Sequence, residues 1–93
     1  MSNIKDREFT VDWINFYIKD WNRWLGEYIG KDNINALEIG CYEGRSSCWF
    51  CENILTGKNC KLVCIDSWAG KVFEDRFDKN TVGLNIRKFK KYS

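Results

Sequence analysis

The sequence predicts an α/β fold in which an N-terminal helix precedes a two- or three-stranded parallel sheet. Three observations predict it. An apolar stripe at helical spacing is followed by a short apolar run that ends at a glycine. A second apolar run ends in a carboxylate about twenty residues further on. Helical patterns follow each run, which is the alternation that builds parallel strands with right-handed crossovers. Ninety-three residues suit one small domain, and such a domain buries only about two-thirds of the surface its unfolded chain exposes.

Residues 1–9 carry little pattern and are expected to be a flexible N-terminus, with the domain proper spanning 10–93. From Thr10 the periodicity is helical. Thr10 is positioned as an N-cap, and Asp12 lies in the first turn, where the helix dipole favours a negative charge. Ile14, Tyr17, Ile18, Trp21, Leu25 and Tyr28 recur at spacings of three and four, a stripe expected to pack against a sheet, and Gly30 is the expected stop. After the polar connector 31–35, Ala36-Leu37-Glu38-Ile39-Gly40 reads as a short buried strand. Cys41 to Arg45 forms a turn. Ser46 is placed to cap the next helix, which runs through Trp49 and Leu55 and ends near Gly57. Lys61 to Asp66 is the second strand. Val72 to about Asn80 is a helix with Phe73 and Phe77 on one face, and a weaker strand is expected around 85–89.

The net charge of +2 is too small to imply nucleic acid or membrane binding. The one basic cluster, Arg87, Lys88, Lys90 and Lys91, reads as a solvated chain end. No apolar leader follows Met1, and no run approaches the roughly 18 apolar residues of a membrane span. Five cysteines, an odd number, fit a reduced cytoplasmic setting.

The chemistry concentrates at Glu38-Ile39-Gly40-Cys41-Tyr42-Glu43-Gly44-Arg45-Ser46, where a strand meets a helix. A nucleotide-like ligand needs a tight turn there, met by Gly40 and Gly44, and backbone N–H groups at a helix N-terminus. It also needs a carboxylate at the end of the next strand to accept bonds from ribose hydroxyls. Asp66, 22 positions after Gly44, meets that need. Tyr42 stands where a dinucleotide-binding loop has its middle glycine, so the close approach of a pyrophosphate is hindered.

The run Leu37 to Ser46 resembles motif I of class I S-adenosylmethionine-dependent methyltransferases. It is similar to the branch with a Gly-x-Tyr/Phe-x-Gly-x-Ser loop, which includes the catechol O-methyltransferase type. Ser47-Cys48-Trp49, Glu52 to Thr56, Val63 to Trp68, Asp12-Trp13 and Arg76 to Asn80 extend the similarity to the methyltransferase type 24 family. The resemblance implies a Rossmann-like three-layer fold of seven strands, of which this sequence supplies the first two or three. It implies S-adenosylmethionine as cofactor, with Glu38 near the methionine amino group and Gly40, Tyr42, Gly44 and Ser46 along the methionine moiety. Asp66 would take the ribose hydroxyls, and Ser67 and Trp68 would lie beside the adenine. The nearest relatives imply a small-molecule acceptor, and because substrate contacts in such enzymes come mostly from later segments, it is expected to be reached only in a completed fold. The sequence contains no histidine to act as a base.

Without a fourth strand, Leu37 to Gly40 is expected to form a sheet edge, which invites a second copy or a separately supplied C-terminal half. The contrasting reading is a non-catalytic assembly module that keeps the scaffold alone. Cys48-x-x-Cys51 with Cys60 and Cys64 could be read as zinc ligands, but their helix and strand positions favour buried apolar roles, so no metal is expected. Cys48-x-x-Cys51 as a redox pair is weakened by the absence of proline. Tyr42 reads as a shield over the cofactor before a catalytic hydroxyl. Glu43 and Arg45 read as solvent-facing loop charges, and Arg76 with Asp78 as a surface pair.

Overall fold

The computed structural model describes residues 7–10 and 13–91. A 3-10 turn, Trp13–Phe16, leads into helix α1 (Ile18–Leu25) and a second 3-10 turn, Gly26–Tyr28. Strand β1 (Asn35–Ile39), helix α2 (Arg45–Asn53), strand β2 (Lys61–Asp66), helix α3 (Lys71–Asn80) and strand β3 (Ile86–Lys90) follow. The three strands form one parallel sheet in the order β1-β2-β3. This is the Rossmann-like α/β arrangement that the sequence predicts, with the third strand present.

The register fixes two faces, because side chains alternate along each strand. Ala36 aligns with Leu62, Leu62 with Ile86, Glu38 with Cys64, and Cys64 with Lys88. That face receives α2 and α3. Leu62, Cys64, Trp68 and Phe77 are its buried core, with Ala36, Cys51, Leu55 and Ile86 packed against them. Full burial of a side chain such as Phe77 contributes about 1.5–3 kcal/mol. Both helices lie on one face, as successive right-handed crossovers running the same way along the sheet require. The opposite face carries Leu37, Ile39, Val63, Ile65 and Phe89. Leu37 and Ile39 are 60% and 75% exposed, so β1 is buried on only one side, in contrast to the expected buried strand.

The N-terminal stripe departs from the sequence reading in two ways. It is broken into turn, helix and turn, and it packs on α2 instead of on the sheet. Ile14 joins Trp49 and Ile54 in a second core, with Ile18, Trp21, Leu25 and Phe50 against it. Trp21 lies 5.5 Å from Trp49 and 5.0 Å from Phe50, aromatic contacts that the period alone cannot assign to a partner. Tyr17 and Tyr28 remain 49% and 39% exposed. Among the described residues Thr10 is turned to the loop, its N–H and hydroxyl both donating to Glu43, each at 2.8 Å. Asp12 lies outside the described residues. A cavity of about 460 Å³ opens along β1, lined by Leu25, Tyr28, Ile34, Phe50 and Leu55 and reaching Glu38.

Arg87, Lys90 and Lys91 of the basic cluster are exposed, but two of its lysines are tied to α3. Lys88 bridges Glu74 and Asp78 at 2.6 and 2.8 Å, and Lys90 reaches Glu74 at 2.9 Å, tying β3 to α3. Lys88 also lies 5.0 Å over the Trp68 ring. Arg76 therefore does not pair with Asp78; it pairs with Glu8 and Glu43.

Candidate functional site

The site forms where β1 and β2 end side by side. Gly40 donates its N–H to the Ile65 carbonyl at 2.9 Å, carrying the parallel pairing one residue past β1. The chain then turns over Gly40, Tyr42 and Gly44, with φ of 83°, 51° and 83°. The two glycines are needed for different reasons. A Cβ on Gly40 would meet nothing within 4 Å, so that side of the turn is open. A Cβ on Gly44 would stand 3.0 Å from Phe77 Cδ2 and 3.2 Å from Thr81 Cγ2, so Gly44 lets the loop close onto α3.

Gly44, not Ser46, is the N-cap of α2, and no side chain caps that end. Ser46 is inside the first turn, where its hydroxyl and that of Ser47 both donate to the Glu38 carboxylate. Burial raises the Glu38 pKa, opposed by those hydroxyls and by Cys41. Glu38 and Ser46 thus meet beneath the loop.

Asp66 joins the two strand ends. One carboxylate oxygen accepts the Tyr42 N–H at 2.9 Å and the other the Trp68 N–H at 2.8 Å. The Trp68 indole N–H in turn donates to the Tyr42 carbonyl at 2.7 Å. Each carboxylate oxygen has a second lone pair, so acceptor capacity remains for hydroxyl groups. Tyr42 is 42% exposed, its ring 4.7 Å from that of Phe73. Ser67 is partly exposed. The Trp68 side chain is only 3% exposed and packs 4.9 Å from Phe77. Gly40, Tyr42, Gly44, Asp66 and Ser67 therefore share one loop cluster. Glu38 and Ser46 lie below it, and Trp68 reaches it through its backbone while its ring fills the core.

Glu43 corrects the sequence reading most sharply. Expected in solvent, it is 2% exposed and accepts from Thr10 and, at 2.8 Å, from Arg76. Burial pushes its carboxyl up, but the bonds from Thr10 and Arg76 outweigh this and hold it below the ordinary value. Arg45 lies 5.5 Å over the Phe9 ring. Asn80, given no role of its own in the sequence reading, is fully buried; it donates to the carbonyls of Glu8 and Glu43 at 2.9 Å each and accepts the Glu8 N–H at 2.7 Å. The back of the loop is thereby pinned to α3 and to the N-terminal segment. A buried carboxylate and amide whose partners lie 33 to 72 residues away give no pattern in sequence, so only the fold reveals them.

The cysteines are all free thiols, four of them buried. Burial pushes Cys48 up to about 11 and Cys51 up to about 12, so neither is a nucleophile near neutral pH.

Residues 37–93 of this chain match the model of a protein family described as a methyltransferase domain. No curated protein matches it.

Proposed function

Because this chain belongs to the methyltransferase-domain family, we propose that its loop cluster binds S-adenosylmethionine and serves methyl transfer to a small-molecule acceptor. The single observation that carries this reading is the meeting of Asp66 with the Gly40–Gly44 turn through the Tyr42 N–H. It puts a carboxylate with spare acceptor capacity beside a turn whose open side, over Gly40, has room for a ligand. The residues fit the group: Asp66 would hold the ribose hydroxyls, and Gly40, Tyr42 and Ser67 would border it. Glu38 and Ser46 would support the turn from below, Gly44 and Trp68 by packing it onto α3. Bound there, the cofactor supplies an electrophilic sulfonium methyl group. The chain's part is to orient it and to shield one side, and in-line placement of the acceptor would come from further segments of a completed fold.

Calorimetric titration with S-adenosylhomocysteine tests the reading. Micromolar binding that weakens at least tenfold in Asp66→Ala supports it, with circular dichroism confirming that the variant is folded. A folded wild-type chain that ignores millimolar ligand defeats it.

A second reading, an assembly module, is favoured by one observation of its own. Among the described strands β1 is a sheet edge, and its Leu37 and Ile39 are 60% and 75% exposed. Such an edge pairs readily with another strand, and the occupant we propose is the β1 of a second copy. Light scattering should then give a concentration-dependent mass that Ile39→Lys returns to the monomer. A wild-type monomer at high concentration rules this pairing out.

A further inference from the structure

We propose that Glu38, Cys41 and Cys64 form a binding site for a soft divalent cation of the zinc class, set beneath the Gly40–Gly44 turn. A Glu38 carboxylate oxygen and the two Sγ atoms all lie within 4.8 Å of one another. Zinc bonds of about 2.3 Å to sulfur and about 2.0 Å to oxygen, at tetrahedral angles, put ligand atoms roughly 3.5–3.8 Å apart. Side-chain adjustments of about an ångström close the cluster on an ion.

The arrangement is built into the sheet. Glu38 and Cys64 are register partners on β1 and β2 and point to the same face. Cys41, the first residue after the Gly40 turn, folds back so that its Sγ lies 3.3 Å from the Glu38 carbonyl and 3.6 Å from that of Ile65. Ser46 and Ser47 donate to the Glu38 carboxylate and so fix its orientation, the role that outer-shell hydrogen bonds play around metal ligands. Ser47 Oγ also lies 3.6 Å from Cys64 Sγ.

The donor set selects the ion. Two thiolates and one carboxylate suit zinc or cadmium and disfavour magnesium and calcium, which take oxygen donors. Cys41 and Cys64 are 2% and 0% exposed. Three such groups can be ionised together in that setting only around a cation. Three protein donors leave one tetrahedral position for a water molecule. The cavity along β1 reaches Glu38. The other buried thiols point elsewhere: Cys48 to the Asn80 carbonyl at 3.3 Å and Cys60 to that of Lys31 at 3.2 Å. The site therefore differs from the four-cysteine set that the sequence spacing suggests, and it needs no cofactor at the loop.

The test uses the full chain, reduced with a non-thiol reagent, stripped with chelator and titrated with Co²⁺ and then Zn²⁺. The expected result is one equivalent, with sulfur-to-cobalt charge-transfer absorption and the visible bands of a tetrahedral ion. Cys41→Ser and Cys64→Ser should each weaken binding at least about tenfold, while Cys48→Ser and Cys60→Ser leave it unchanged. X-ray absorption of the zinc-loaded wild-type chain needs no variant and should show two sulfur and two lighter donors. A folded wild-type chain that binds no equivalent of either ion overturns the proposal. So does a shell of four sulfurs, one of oxygen and nitrogen alone, or binding that survives in Cys64→Ser.

Discussion

Replacing Gly44 by alanine should cost far more than the same change at Gly40, although both glycines have a φ of 83°. The left-handed conformation penalises any L side chain by about 1–2 kcal/mol, and both variants incur that cost. Only at Gly44 does the new methyl also enter occupied space, 3.0 Å from Phe77 Cδ2 and 3.2 Å from Thr81 Cγ2. Phe77 is 1% exposed and wedged against Trp68, so it has little room to give way. Overpacking of this kind adds about 1–3 kcal/mol. Gly44→Ala should therefore lose about 2–5 kcal/mol, and Gly40→Ala about 1–2 kcal/mol. The assay is equilibrium urea unfolding followed by tryptophan fluorescence. With an m-value of about 1 kcal/mol per molar urea, the two midpoints should differ by roughly 1 M or more. Asparagine, which tolerates the left-handed region, should rescue most of the loss at Gly40 and none at Gly44. Coincident midpoints for the two alanine variants would refute the idea that the loop is close-packed on α3 through Gly44.

Two further outcomes follow from the ties behind the loop and across α3. Asn80→Ala removes three hydrogen bonds, to the Glu8 N–H, the Glu8 carbonyl and the buried Glu43 carbonyl. At about 1 kcal/mol each, thermal unfolding should show a loss of about 3 kcal/mol, and faster amide exchange at Glu8 should accompany it. Hydrogen bonds from Lys88 and Lys90 hold the Glu74 carboxyl down at about 2. A carboxyl depressed on folding stabilises the native state above its ordinary pKa and loses that contribution as pH falls towards the folded value. Acid titration should show stability declining between about pH 4.5 and pH 2 in the wild-type chain, and Glu74→Gln should remove that part of the decline. A Glu74 carboxyl signal that titrates at the ordinary value would break the argument.

The sequence by itself determined the elements and the order in which they occur. Helical and strand periodicity, the glycines at the turn and the carboxylate ending β2 are local signals, each readable within a few residues. β2 occupies Lys61–Asp66 as expected, and Gly40 and Gly44 take the positive φ for which they were singled out. The tertiary structure decided everything that depends on residues far apart in the chain. A charge flanked by Tyr42 and Gly44 looks solvated until Arg76, on α3, and Thr10, from before α1, close over it. The apolar stripe of α1 fits a helix and a sheet equally well, and in the fold it is Trp49 and Ile54 that it meets. Cys64 stands in a different cysteine spacing in the sequence and Cys41 in the loop motif, and the two meet Glu38 only because β1 and β2 pair in one register. Periodicity records which face a residue turns inward, whereas strand pairing and packing choose what it meets there.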